Sequence, residues 1–318
     1  MRYKSVIATT HIDRHFCKIS KEALENAAQQ IKHGEAVPCM SLEHDSMIPP
    51  IGKVLDAWIE EMDDGEYRMV VTQEIFDDYK ELILPDETVV YEESLPDDKR
   101  PFNIRGNKVA SDKLRIETDF VNFESKKEYE EFIKEIKEIG DIDEGFIGRK
   151  SLIPDPEVIV TLTKSLIVLF ASKPVAERVS NKIIDSIIDD APKLYEIVKR
   201  AIFSAAKYAI PKNRPITYIF EAPGEITSEF IARTSNPNKV ITALTQEKLK
   251  GCFIKAEELN KVISINKIQF ILNENGDWEF NFILTKTGSV IGTPESHNRR
   301  ARRLKLMQEM KENNKDVL

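Results

Sequence analysis

Residues 41–54 read SLEHDSMIPPIGKV, and this stretch decides how the N-terminal half of the chain is interpreted. His44 stands directly before an aspartate, and the pair Pro49-Pro50 follows after a short gap. Two prolines restrict the backbone, so the next strand starts from them at a defined angle. We expect His44 to end a strand over 37–45. Such a corner suits a positioned general base, and equally a structural histidine that bonds a loop carbonyl.

The sequence around this corner predicts strands with two helices. Ser20 is a helix N-cap, and Gly34 ends that helix. Ser125 and Glu128 form a capping box for a second helix. We predict strands over 3–9 and within 87–123, and a hairpin of 51–60 and 66–73 with its turn at Asp64-Gly65.

The segment 140–156 is rich in glycine, proline and charge, and we place a domain boundary there. The predicted domains are 1–145 and 150–318, and the predicted fold class is α+β. The second domain should combine helices with an antiparallel sheet that includes a three-stranded meander over 267–293, and Pro192 should kink or split its long helical run. A charged helix should end the chain.

Composition sets broad limits on the class of protein. The chain has 318 residues, a formal net charge of −8 and three scattered cysteines. These values favour a cytoplasmic globular protein, because odd and unpaired cysteines suit a reducing compartment. The longest apolar stretch, 158–171, is shorter than the roughly 20 residues that a membrane span needs. We therefore predict no membrane span.

Two kinds of ligand site have weak sequence signals. No GxGxxG or GxxxxGK[ST] motif occurs, so we predict no nucleotide cofactor. His11 and His15 are spaced i, i+4 with Asp13 between them, but a polar turn explains them better than a metal site. No metal is predicted.

An arginine cluster lies near the C-terminus and could contact phosphates. We predict a solvated helix face there, with nucleic acid or an acidic partner as the alternative. The cluster comprises Arg299, Arg300, Arg302 and Arg303.

Four segments in order give a resemblance to a known family. The N-terminal 125 residues resemble the prohead (capsid maturation) proteases of HK97-type tailed phages, and the second segment matches best. The resemblance covers the N-terminal domain only. The segments are VIATTHIDRHFCKISKEAL (6–24), SLEHDSMIPPIGKV (41–54), VLDAWIEEMDDGEYRMVVTQEIF (54–76) and KLRIETDFVNF (113–123).

This resemblance implies a herpesvirus-assemblin-like β-barrel with flanking helices and a serine endopeptidase activity. His44 then matches the catalytic histidine, and Ser94 lies at a comparable distance along the chain to the family's nucleophile. The family's serine usually stands before Ile-Gly and an aromatic residue, whereas Leu-Pro-Asp follows Ser94. His11 or Asp13 is the candidate orienting residue.

Besides phosphate contact by the arginine cluster, two functions therefore remain open at the level of sequence. The first is a prohead-protease-like serine endopeptidase that acts on a protein, itself included, in a phage-related or antiphage setting. The second is a catalytically degenerate protease fold that serves as a protein-binding sensor or scaffold in bacterial defence. Both predict a protein substrate or partner, and we expect an oligomer.

Overall fold

The computed structural model describes residues 2–12, 18–104, 110–147, 156–171 and 184–315. The chain divides into two compact units. Unit 1 comprises Met1–Ile104 and Phe282–Leu318, and unit 2 comprises Arg105–Asn281. The domain boundary predicted between 145 and 150 stays a prediction.

Seven α-helices and fourteen strands occur within the described ranges. The helices are α1 Lys21–His33, α2 Lys126–Lys137, α3 Lys164–Phe170, α4 Ile184–Tyr208, α5 Pro237–Ala243, α6 Gln246–Asn260 and α7 Pro294–Lys315. The strands are β1 Arg2–Thr9, β2 Cys39–Met40, β3 Gly52–Glu61, β4 Tyr67–Ile75, β5 Tyr79–Ile83, β6 Val89–Glu93, β7 Arg115–Thr118, β8 Asp143–Phe146, β9 Glu157–Thr161, β10 Ile216–Ala222, β11 Thr227–Thr234, β12 Ile265–Leu272, β13 Trp278–Thr285 and β14 Val290–Gly292. The predicted α+β class is confirmed.

Unit 1 is built on the predicted helix and hairpin. The Ser20 side chain accepts a hydrogen bond from the backbone N–H of Ala23 at 3.2 Å, and Gly34 is the C-cap, so both ends of α1 are as predicted. Strands β3 and β4 form the hairpin, whose turn contains Gly65 at φ 81°. The buried face of α1 packs on this hairpin through Leu24, Ala28, Ile31, Val54, Ala57, Met69 and Val71.

The strands of unit 1 form open sheets in the described part of the chain. The first sheet has the order β1-β4-β3-β2, and all of its pairs are antiparallel. A second run pairs β5 with β6, β6 with β14 and β14 with β13, again antiparallel. Strands β1 and β2 are edges of the first sheet, so no closed barrel is seen among the described residues.

The strand predicted over 37–45 is wrong beyond its first residues. Strand β2 contains only Cys39 and Met40. The chain leaves it because Glu43 and His44 both adopt φ 54°, which an extended strand does not allow. His44 therefore lies in a turn and does not end a strand.

Unit 2 contains a mixed sheet rather than a purely antiparallel one. The order is β12-β11-β10-β9-β7-β8. The pairs β9–β10, β11–β12 and β7–β8 are parallel, whereas β10–β11 and β7–β9 are antiparallel. Within the predicted meander, β13 and β14 pair antiparallel as expected. Periodicity marks strands but does not reveal their direction, which explains the error.

Helices cover one face of this sheet. The Tyr218 hydroxyl donates to the Ile202 carbonyl of α4 at 3.3 Å, and Phe230 packs on Phe253 of α6 at a centroid distance of 5.5 Å. The capping box of α2 is present, with the Glu128 N–H donating to the Ser125 hydroxyl at 3.3 Å.

The long helical run and the apolar stretch of unit 2 both form regular structure. Helix α4 continues through Pro192, so the run is not split there. The apolar stretch 158–171 forms β9 and α3. Among the described residues, no helix is both long and apolar enough to cross a membrane.

Candidate functional site

His44 lies at the tip of a tight turn. The N–H of Asp45 donates to the Leu42 carbonyl at 3.0 Å, and the two residues between them have positive φ, as in a type I′ turn. The Asp45 carboxylate accepts a hydrogen bond from the Met47 N–H at 3.1 Å and is buried, whereas the His44 side chain is exposed. Glycine or asparagine normally occupies such positions, so a glutamate and a histidine there are a strained local choice.

The remaining residues of the corner have structural roles. Pro49 and Pro50 are buried. A Cβ at Gly52 would lie 2.1 Å from the Glu74 carbonyl oxygen, so only glycine lets β3 approach β4 at this point. The motif HD…PPIG thus positions the start of β3, and His44 is its exposed member.

Ser94 directly follows β6 and is half-buried in unit 1. Ser94 and His44 belong to the same compact unit. Their catalytic pairing stays a prediction. Apo enzymes often hold such pairs at longer distances than the reacting complex, so this geometry alone does not decide activity.

Of the two candidate orienting residues, the structure describes His11. The His11 Nε2 atom lies 2.8 Å from Asp64 Oδ2. Asp64 belongs to the turn between β3 and β4, and this bond is the main reason that its pKa is lowered. Asp13 lies outside the described residues. His11 is therefore bonded to the hairpin turn, and its role toward His44 stays a prediction.

A buried lysine next to the corner is a feature that sequence reasoning missed. Lys53 has no exposed surface. Its Nζ atom donates to the carbonyls of Asp98 and Arg100 at 2.8 and 2.7 Å and lies 3.5 Å from Asp98 Oδ1. Burial lowers its pKa, and the nearby Asp98 carboxylate opposes that shift. The three donors of the ammonium group have three acceptors, so this lysine is structural.

The Asp98–Arg100 pair ties the same loop to two other elements. Arg100 Nε donates to Asp98 Oδ2 at 2.9 Å. Its guanidinium also donates to the Ile31 carbonyl of α1 and the Leu55 carbonyl of β3, both at 3.1 Å. The loop after Ser94 is therefore anchored to the helix and the hairpin by charge-assisted hydrogen bonds.

A second buried charged group joins β6 to α7. Glu93 is 4% exposed, and Arg300 binds both of its carboxylate oxygens at 2.9 Å. Arg300 Nη2 also lies 2.9 Å from His297 Nδ1. Because a guanidinium can only donate, His297 Nδ1 is the acceptor of this hydrogen bond. In a neutral imidazole the proton is then on Nε2. Among the described residues, the buried His297 Nε2 has no hydrogen-bond partner, and a carboxylate oxygen of Glu93 lies 3.6 Å away.

Aromatic rings complete the surroundings of His297. Tyr91 meets it edge-on with centroids 5.1 Å apart, and Tyr79 lies 6.0 Å away. Burial lowers the pKa of His297, with Arg300 acting in the same direction and Glu93 opposing it. The ring thus lies between a cation and two aromatic rings, in surroundings that disfavour its charged form.

This arrangement predicts a pH dependence of stability. The folded state binds a proton at His297 more weakly than the unfolded chain does. Its stabilising contribution is therefore present above the ordinary pKa of 6.5 and is lost as the pH falls through 6.5 toward the lower folded value. We expect His297→Gln to reduce the loss of unfolding free energy between about pH 7.5 and about pH 5.5.

Urea unfolding at both pH values measures this effect. His33→Gln is the matched control, since it makes the same substitution at an exposed histidine of unit 1. An identical pH dependence in wild type and the His297→Gln variant would contradict the assignment.

The arginine cluster is largely engaged within unit 1. Arg300 binds Glu93, and Arg302 pairs with Glu295. Arg299 donates to the Met47 carbonyl at 3.4 Å. Ion pairs reduce the positive charge available to a phosphate, so contact with phosphates stays a prediction that rests chiefly on Arg303 and on the exposed remainder of the helix.

Comparisons with protein-family models, with curated proteins and with solved structures find no match for this chain. Within the described ranges, no group of three His, Cys, Asp or Glu side chains could hold a metal ion.

A row of polar side chains crosses the sheet of unit 2 and was also missed. Thr161, Glu221, Glu229 and Gln269 are register partners on successive strands, so they share one face. Glu229 is 6% exposed and accepts a hydrogen bond from Lys267 Nζ at 2.9 Å and another from the Gln269 amide. These carboxylates are bonded in place, and we assign the row a structural role.

The sequence contained a signal for one partner of the buried Glu93–Arg300 pair. Glu93 sits at an inward position of the strand VVYEE, where a carboxylate needs a buried cation. Its partner, Arg300, is 207 positions away, so nothing local identifies the pair.

Proposed function

We propose that unit 1 binds an extended segment of a protein partner without cleaving it. The observation that carries this proposal is the edge strand β5. It pairs with β6 on one side, and in the described part of the chain no strand pairs with its other side. An extended segment can add to such an edge through main-chain hydrogen bonds.

The side chains of this edge support the same function. Tyr79 is 59% exposed and Ile83 is 70% exposed, and both lie on one face of β5. Val89, the cross-strand partner of Ile83, is 37% exposed. Proteins usually protect an edge strand with charge or with a covering element, because a bare apolar edge attracts other chains. Strand β5 also carries the exposed charged residues Lys80 and Glu81, so its apolar surface consists of Tyr79 and Ile83, two side chains on one face that an added strand could contact.

The residues that follow Ser94, together with the exposed turn at His44, are the reason that this proposal favours binding over cleavage. A general base must be held in a fixed orientation beside its nucleophile. His44 instead stands exposed on a turn, and Ser94 is followed by Leu-Pro-Asp. We include in the proposal a protease-derived, assemblin-like ancestry of unit 1 and a cytoplasmic role as a sensor or scaffold in antiviral defence.

Selection from a random peptide library tests the binding proposal. Wild-type protein should enrich peptides with alternating apolar residues, and Ile83→Lys should weaken the selected peptides at least about tenfold, because a lysine on the edge disfavours strand addition. Val262→Lys is the control, since Val262 is 62% exposed but lies in unit 2.

Two results would reject the edge strand as the binding site. One is a set of selected peptides that bind the Ile83→Lys variant as tightly as wild type. The other is a library that yields no peptide above the background of the bare support.

The second proposed function is the prohead-protease-like serine endopeptidase. It is supported by the presence of His44 and Ser94 in the same unit, with Ser94 directly after β6 and His44 in the turn that follows β2. In this version β5 would present an extended substrate, His44 would take the proton of Ser94, and backbone N–H groups would bind the oxyanion.

A further inference from the structure

A cavity in unit 2 has the composition of a small-molecule site. Its volume is about 470 Å³, and it lies between α4 and the end of α2. Volumes of this order are typical of pockets that hold a compact organic ligand. The α4 residues that line it recur every three or four positions, so they form one stripe along the helix. The stripe includes Glu196, Lys199, Arg200, Phe203, Ser204 and Lys207.

Most of the charges in this cavity are already neutralised. Glu135 of α2 accepts hydrogen bonds from Ser204 Oγ at 2.8 Å, from the Tyr208 hydroxyl at 2.7 Å and from Lys207. These bonds, that from Lys207 above all, lower the pKa of Glu135 to about 2. Glu135 is thus a fully bonded carboxylate that needs no further partner.

The other acidic residue is paired as well, which leaves one cation. Glu196 binds Lys199 at 2.6 Å. Arg200 is exposed in the cavity, and the described residues give it no ion pair or hydrogen bond. The net electrostatic character of the cavity is therefore that of a single guanidinium, which favours a carboxylate, sulfonate or phosphate.

The apolar part of the cavity is next to this cation. Phe203 is 46% exposed and lies about one turn of α4 beyond Arg200. Ile139, from the segment that follows α2, also lines the cavity. An exposed phenyl ring beside an unpaired guanidinium suits a ligand that combines an aromatic ring with one negative charge. We propose that this cavity binds small aromatic monoanions, with Arg200 contacting the anionic group and Phe203 the ring.

Two fluorescent probes that differ in one charged group test this proposal on the full chain. Anilinonaphthalene sulfonate carries the anion, and phenylnaphthylamine is its uncharged counterpart. We expect saturable one-site binding of the sulfonate. Arg200→Gln should weaken that binding about tenfold and leave the uncharged probe unaffected, since one charge-assisted contact is removed. Phe203→Ala should weaken the binding of both probes.

Two further variants control for non-specific dye binding. Lys250→Gln removes an exposed cation elsewhere in unit 2, and Val262→Ala removes an exposed apolar side chain. Both should bind the probes as wild type does, with unchanged circular dichroism. Absence of saturable binding, or sulfonate binding that survives both Arg200→Gln and Phe203→Ala, would overturn the proposal.

Discussion

Lys53→Met is expected to lower the free energy of unfolding by about 3–5 kcal/mol, the range found when one partner of a buried charge pair is removed. Lys53 has no exposed surface and bridges the carbonyls of Asp98 and Arg100. Methionine keeps the length and the apolar stem of the side chain but removes the ammonium group. Two buried carbonyl contacts then lose their donor, and the Asp98 carboxylate keeps only its bonds from Arg100.

Urea unfolding measures this effect, and Lys80→Met provides the control. Lys80 is exposed on β5, so its replacement should change stability by less than about 0.5 kcal/mol. If Lys53→Met costs no more than the control, the loop after Ser94 is not held by Lys53.

Gly288→Ala is expected to be the other severe substitution in unit 1. Gly288 has φ 76°, which an alanine adopts only at a cost of about 1–2 kcal/mol. The added Cβ would also lie 2.2 Å from the Arg100 carbonyl oxygen and 2.3 Å from Lys53 Nζ. The clash would displace the same lysine and its acceptors, so we expect a total loss of about 3 kcal/mol or more.

Gly65→Ala separates the cost of the backbone conformation from the cost of the steric clash. Gly65 has φ 81° and no atom within 4 Å of the position of a Cβ, so it carries the conformational cost alone. We expect Gly65→Ala to cost about 1–2 kcal/mol and Gly288→Ala clearly more. Equal losses of unfolding free energy in the two variants would show that the close approach of Gly288 to Lys53 does not matter for stability.

Much of the local structure could be predicted from the sequence because its causes are local. A capping serine and a closing glycine fixed both ends of α1, and Asp64-Gly65 fixed the hairpin turn. The serine–glutamate box likewise marked the start of α2. In each case residues within a few positions of each other supply the hydrogen bond or the backbone freedom that the element needs.

The turn at His44 could not be predicted in the same way. Alternation and a following Pro-Pro pair favoured a strand up to His44, whereas Glu43 and His44 adopt positive φ without the usual glycine signal. Tertiary contacts override local preference at such positions. The burial of Lys53 is equally hidden in the sequence, because its acceptors lie in a loop about 45 positions further on.

The candidate site was predicted only in part for a related reason. The sequence identified His44, Ser94 and the arginine cluster, but not what each side chain contacts. Arg300 was considered as a phosphate contact, and the structure places it in a bidentate pair with Glu93. Partners that are remote along the chain decide whether a charged side chain is available to a ligand.

Labelling with a serine-directed fluorophosphonate most directly tests the claim that unit 1 binds polypeptide without cleaving it. Full-length wild type, Ser94→Ala and His44→Ala are incubated with the probe, and covalent label is measured by mass spectrometry alongside a known serine hydrolase. We predict no label on wild type and no fragmentation on prolonged incubation. Stoichiometric label on wild type that both substitutions abolish would contradict the claim and establish the endopeptidase.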